Sequence, residues 1–216
     1  MINKLFKKKE IWIPNLKGWT IILSFLFALF FLLVLAINPF LSINKPNHGG
    51  ILIVEGSLTD YDIEQSIGIF KELKCEYILT TGGTVPKGYY HAKYENYAQV
   101  GANKLEGFGF PNDKIISLPS KFILKDRTYH NALTVKKWLD TTNIQVTKIN
   151  IYEIGPHARR SRLLYEKALG TKYQIGIISM NDINYDAKKW WKSSVGFRTV
   201  IGESIAYLYV RLFFYP

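Results

Sequence analysis

The chain has 216 residues, enough for one domain and an appendage, and at 48% hydrophobic and 15% aromatic it is not an intrinsically disordered protein. Its formal net charge is +11, but the excess is unevenly placed: Lys4, Lys7, Lys8, Lys9 and Lys17 against Glu10 leave +4 before residue 19. That placement fits a membrane flank better than a nucleic-acid surface, so no nucleic-acid partner is expected.

From Trp19 to Ile37 no charged residue occurs. Those 19 residues make a helix of about 28 Å, enough to cross the hydrocarbon core of a bilayer. Ala36-Ile37-Asn38-Pro39 is a poor small-x-small cleavage site, which predicts an uncleaved anchor over residues 19–37 rather than a signal peptide. With the basic flank at residues 1–18, the positive-inside rule predicts a cytoplasmic N-terminus. The remainder then lies outside the cytoplasmic (inner) membrane, extracytoplasmic or periplasmic. Residues 38–50 hold two prolines and two glycines and read as a spacer.

The rest alternates strands and helices. Ile51–Val54 is a short apolar run of the kind found in buried parallel strands. Tyr61 to Leu73 has helical spacing through Ile63, Ile67 and Phe70. Glu76 to Thr81 predicts a second strand, Glu95 to Gly107 a helix, Lys114 to Leu118 a third strand and Thr128 to Asp140 a further helix. A strand from Ile149 and a helix ending at Gly170 follow, then a strand over Tyr173 to Ile178. This order predicts an α/β domain over residues 51–186: a Rossmann-like, mostly parallel sheet with helices on both faces. Residues 187–216 are strongly apolar and predict an amphipathic helix that closes the domain and can touch the bilayer surface, with a second membrane span as the alternative. The single cysteine, Cys75, sits among apolar residues and predicts a core position.

Three stretches carry candidate chemistry. Thr80-Thr81-Gly82-Gly83-Thr84 lies at a strand end, where paired glycines permit close ligand approach and leave N–H groups for oxyanions; an ordinary turn is the other reading. Thr128-Tyr129-His130-Asn131-Ala132 opens a helix. Gly155-Pro156 breaks a strand ahead of His157, Arg159, Arg160 and Arg162, so four potentially cationic side chains cluster where a strand ends and a helix begins. That is a common ligand position in open α/β sheets, and equally a place for a solvated helix face. The four histidines are widely spaced and predict no metal site, and no G-x-S-x-G elbow announces a nucleophile; Ser57 and Asp60 are the convenient candidates beside the expected cleft.

In order, strand-Thr-Gly-Gly, Glu95, Gly109-Phe-Pro-Asn-Asp-Lys-Ile-Ile116, Thr128-x-x-Asn131-Ala132 and strand-x-x-His157-x-x-Arg160-Ser161 form a series. It resembles the SanA/ElyC/YdcF-like family of bacterial envelope proteins over about residues 50–180, with Glu203 matching a family glutamate in the terminal helix. The resemblance implies a Rossmann-like domain with its polar residues at the C-terminal edge of the sheet, often held at the membrane, in peptidoglycan-precursor or lipid-carrier metabolism. Carried over by residue, it implies His157 and Arg160 as catalytic candidates. Thr81, Gly82, Gly83, Glu95, Thr128, Asn131 and Glu203 are then the ligand-binding candidates. Two features depart from the family pattern. The first loop reads Glu55-Gly56-Ser57-Leu58-Thr59-Asp60 with no arginine on the helix after it, and His130 stands where the family has an acidic residue.

The expected partners are the membrane, through the N-terminal helix, and an anionic small-molecule or lipid-linked ligand; no cofactor is assigned. Arg160 and the Gly82-Gly83 amides would hold the anion and His157 would act as acid or base in a hydrolase or transferase. A non-catalytic sensing or structural module is the alternative.

Overall fold

The computed structural model describes residues 11–86, 88, 93–121 and 125–216. The basic flank through Glu10, and His91, lie outside the described residues. Two compact units divide the chain, Met1–Ala36 and Ile37–Pro216.

The first unit holds most of helix α1, Leu16–Leu41. Asn15 caps its start, its side-chain oxygen accepting from the Gly18 N–H at 3.0 Å. With 26 residues and a mean hydropathy of 3.0, α1 is long and apolar enough to span a membrane, by length and composition. Among the described residues no other helix meets that test.

The second unit is an α/β domain built on five parallel strands: β1 (Ile51–Glu55), β2 (Tyr77–Gly82), β3 (Ile115–Pro119), β4 (Lys148–Ile154) and β5 (Gln174–Met180). Their order is β3-β2-β1-β4-β5, with β1 in the middle. The helices are α2 (Asp60–Glu72), α3 (Tyr97–Gly107), α4 (Arg127–Thr141), α5 (His157–Leu169) and α6 (Ser194–Leu212). Alternate residues of each strand serve opposite faces, so the domain has two apolar cores. Ile51, Ile53, Ile149, Ile151 and Ile177 pack with Ala132 and Val135 of α4 and Ala158 and Tyr165 of α5. Leu52, Val54, Ile78 and Tyr152 pack with Ile63 and Phe70 of α2 and Leu105 of α3. Helices α2 and α3 thus cover one face, and α4 and α5 the other.

This arrangement creates a switch point. From β1 the chain leaves toward one face, and from the adjacent β4 toward the other, opening a crevice beyond their carboxyl ends.

Residues 38–50, expected as a spacer, are bound to the domain. Asn38 to Leu41 continue the helix, Leu41 is fully buried, and Asn38 Nδ2 donates to the Ala187 carbonyl at 3.0 Å. Lys45 bridges Ile177 antiparallel. The buried Asn150 amide holds the next residues from β4: its Oδ1 accepts from Asn47 N at 2.7 Å and its Nδ2 donates to the carbonyls of Asn47 and Gly49 at 3.1 Å. Their prolines and glycines shape a bound strap, whose backbone groups found partners that composition does not reveal.

At the other end, α6 opens on Ser193, whose hydroxyl accepts from Gly196 N at 3.0 Å. It buries Gly196, Val200 and Val210 and leaves Phe197, Ile201, Ile205, Leu208 and Leu212 exposed along one stripe. Cys75 is buried, as expected of it, with Asn150 Nδ2 at 3.8 Å from its sulfur.

Candidate functional site

The switch-point crevice is polar because two otherwise apolar strands end in glutamates. Glu55 closes Ile-Leu-Ile-Val on β1, and Glu153 is the last but one residue of β4. Gly155 then turns the chain out of the sheet with φ of 54°, a left-handed conformation that glycine adopts without strain. The turn is held by Gly155 N donating to the Met180 carbonyl at 2.7 Å and by the Ser179 hydroxyl donating to the Gly155 carbonyl at 2.9 Å. It delivers His157 and Arg160, one helical turn apart on α5, over the same crevice.

The fifth member comes from α6. Glu203 accepts from Arg160 Nε at 2.8 Å through one carboxylate oxygen and from Arg160 Nη2 at 3.0 Å through the other. This is the bidentate pairing that fits a guanidinium to a carboxylate. His157 Nδ1 lies 3.0 Å from Glu203 Oε1 and 2.8 Å from Arg160 Nη2. One ring nitrogen cannot donate to the first and accept from the second. Since Arg160 already has both Glu203 oxygens, the Nδ1 proton is assigned to the bond with Glu203. That leaves Nε2 facing Glu153, 3.8 Å from its carboxylate oxygen.

Burial makes these charges matter. Glu153 is only 5% exposed, and the side chains of His157, Arg160 and Glu203 are 23%, 19% and 18% exposed. Loss of water pushes the Glu153 carboxyl above its usual range; His157 opposes the shift and the like charge of Glu55 reinforces it. Burial works against the charged form of His157, but the Glu153 carboxylate and the hydrogen bond to Glu203 outweigh it and hold the imidazole above its ordinary value. Glu203 also loses water, yet the hydrogen bonds from His157 and Arg160 bring it down to about 2. Below the cluster, Tyr165 is buried against Thr81, its phenol pushed well up by burial and by the charges of Glu153 and Glu55. Ser57 donates to Glu55 Oε1 at 2.9 Å at the rim.

The residues expected from the sequence divide into two groups. His157, Arg160 and Glu203 meet in one network, and Thr81 lies under it through Tyr165. Gly82 serves packing: a side chain there would meet Tyr97 Cβ at 2.6 Å, so the glycine lets α3 approach β2. Gly83 faces Ser120 and Lys121 at ordinary contact distance, its carbonyl accepting from Tyr97 N at 2.8 Å. Glu95 is exposed in the loop before α3, its N–H donating to Gln99 Oε1. Thr128 is half-buried on α4, and Asn131 is buried there with an Oδ1 that has no hydrogen-bond partner. Of the two first-loop candidates, Ser57 is at the rim, while Asp60 pairs with Lys104 at 2.8 Å. Arg159 stacks on the Phe40 ring at 3.9 Å and Arg162 pairs with Glu166 at 2.8 Å, so neither belongs to the network.

Glu55 and Glu153 were missed. The available signal was a charged residue at the carboxyl end of a buried parallel strand, where a glutamate needs a partner from another element. The arrangement defines a class: an α/β domain with a polar, charge-dense crevice at its switch point. No family model matches the chain, and no curated protein sequence matches it either.

Proposed function

We propose that the domain binds a phosphorylated or otherwise anionic envelope precursor at the C-terminal edge of its sheet and acts on it as a hydrolase or transferase. On this reading it is a relative of the SanA/ElyC/YdcF-like proteins, anchored by α1 with the domain on the extracytoplasmic side of the membrane. The observation that carries the reading is the convergence of His157, Arg160 and Glu203, from two helices, on the crevice beyond β1 and β4. His157 presents Nε2 to the crevice while Glu203 fixes its other nitrogen, an arrangement suited to proton transfer. Arg160 lies beside it, to neutralise charge on a bound oxyanion.

A sensing module without turnover is the second reading. Its support is that Glu203 already accepts from Arg160 through both oxygens, leaving the guanidinium partly satisfied before any anion arrives.

Full-length protein in detergent micelles, screened against nucleotide-linked and polyprenyl-linked phosphates by thermal shift, separates the two. Binding with turnover that His157→Ala abolishes supports catalysis. Binding without turnover supports the sensor, and turnover unaffected by His157→Ala sinks the role of His157. A C-terminal reporter active only in the cytoplasm refutes the orientation.

A further inference from the structure

The side chains at the switch point are arranged for more than an organic anion. One donor atom from each of Glu55, Glu153 and His157 lies within 4.8 Å of the other two. An ion about 2.1 Å from each donor requires donor separations of at most about 4.2 Å, so a small side-chain rotation of Glu55, half-buried at its strand end, completes the set. We propose that Glu55, Glu153 and His157 Nε2 bind one divalent transition-metal ion of the Mn²⁺ or Zn²⁺ type.

Three further features point to a cation. The first is a loosely held group: the Ser161 hydroxyl, in a residue with no exposed surface, closes no hydrogen bond of ordinary geometry, and the group it approaches is the Glu153 carboxyl. A buried hydroxyl normally has a partner, and one beside an ion is satisfied by a carboxylate fixed in place or by a bound water. The second is orientation. Glu203 accepts from His157 Nδ1 and directs Nε2 toward Glu153, the carboxylate–imidazole–metal order by which proteins set the tautomer of a ligating histidine. The third is charge. In the state that binds a metal, with the imidazole neutral and every carboxylate ionised, Glu55, Glu153 and Glu203 face the guanidinium of Arg160, an excess of two negative charges in a partly buried crevice. One divalent ion balances it. Two carboxylate oxygens and one imidazole nitrogen, with coordination positions left open, suit Mn²⁺ or Zn²⁺ rather than a soft thiolate-seeking ion.

The site stands without the phosphoryl reading above; where both hold, it keeps the anion at the crevice and replaces the proton-transfer role given there to His157. The ion then occupies Nε2, making His157 a ligand instead of a base, and supplies the positive charge that polarises a phosphoryl oxygen.

The test uses full-length protein in detergent micelles, stripped with chelator and titrated with Mn²⁺ while electron paramagnetic resonance reads the free ion. Expected is one Mn²⁺ per chain, displaced by Zn²⁺, with affinity lowered at least about tenfold in Glu55→Gln and in Glu203→Gln. Glu106→Gln, far along α3, serves as the control and keeps wild-type affinity. Paramagnetic broadening of the histidine ring signals reads the site in the unmutated protein: His157 broadens and His48 does not. Absence of stoichiometric binding, equal affinity in Glu55→Gln, or broadening that spares His157 overturns the assignment. Mn²⁺ binding with no phosphorylated ligand bound leaves this site standing and refutes the substrate reading; the reverse pattern does the opposite.

Discussion

Replacing Glu203 with glutamine removes the one charge that α6 contributes to the crevice while keeping the side chain's shape. The fall of its carboxyl from an ordinary 4.5 to about 2 corresponds to about 3 kcal/mol of preference for the charged form in the folded protein. Because the side chain keeps 18% exposure, and glutamine can still accept one bond from Arg160, the expected cost of Glu203→Gln at neutral pH is about 2 kcal/mol. The folded value lies below the unfolded one, so this stabilisation is complete above about pH 4.5 and lost as pH falls toward 2. Urea unfolding of chelator-treated, full-length protein in detergent, followed through the buried Trp190, measures both effects. A double-mutant cycle with Arg160→Gln gives a coupling of about 1–3 kcal/mol. A cost below about 0.5 kcal/mol, or a gap between wild type and variant that stays constant from pH 5 to pH 2, refutes the network as an energetic unit.

Other expectations test the surroundings of the site. A side chain at Gly56 would stand 1.8 Å from the Tyr97 carbonyl oxygen, so Gly56→Ala costs at least about 1–3 kcal/mol of thermal or urea stability. Gly83→Ala, with its nearest contact at 3.5 Å, leaves stability within about 0.5 kcal/mol of wild type. A fragment of residues 37–216 is more stable than one of residues 45–216 by about 2–4 kcal/mol, because the shorter one loses the buried Leu41 and the Asn38–Ala187 bond; equal unfolding midpoints contradict the bound strap. Burial pushes the Cys75 thiol up to about 11, so a thiol reagent at pH 8 modifies it only in denaturant; prompt labelling of the native chain contradicts its burial.

Much of the fold was legible because its signals are local. The uncharged run from Trp19 to Ile37, the apolar strand cores and the helical spacing of Ile63, Ile67 and Phe70 each follow from one stretch of chain. The contacts of residues 38–50 are not legible in composition, because proline and glycine report only the lack of regular structure; the partners of Asn38 and Asn47 lie 149 and 103 residues away. The glycine pair was read for its free amides, while Gly82 is used for the approach of Tyr97, a contact no string can display.

Reading along the chain shows that two strands end in charged residues, that a basic turn follows the fourth, and that a polar glutamate interrupts an apolar terminal helix. That these groups meet in one crevice follows from the tertiary packing alone. Strand order placed β1 beside β4 although about a hundred residues separate them, bringing Glu55 toward Glu153, and the packing of α6 on α5 carried Glu203 to Arg160 and His157. Burial then did what composition cannot. By removing water from Glu153, His157, Arg160 and Glu203 at once, it made each one's state depend on the others. The basic cluster after Gly155 therefore acts in an acidic crevice, with Arg160 paired to Glu203 and His157 oriented by it.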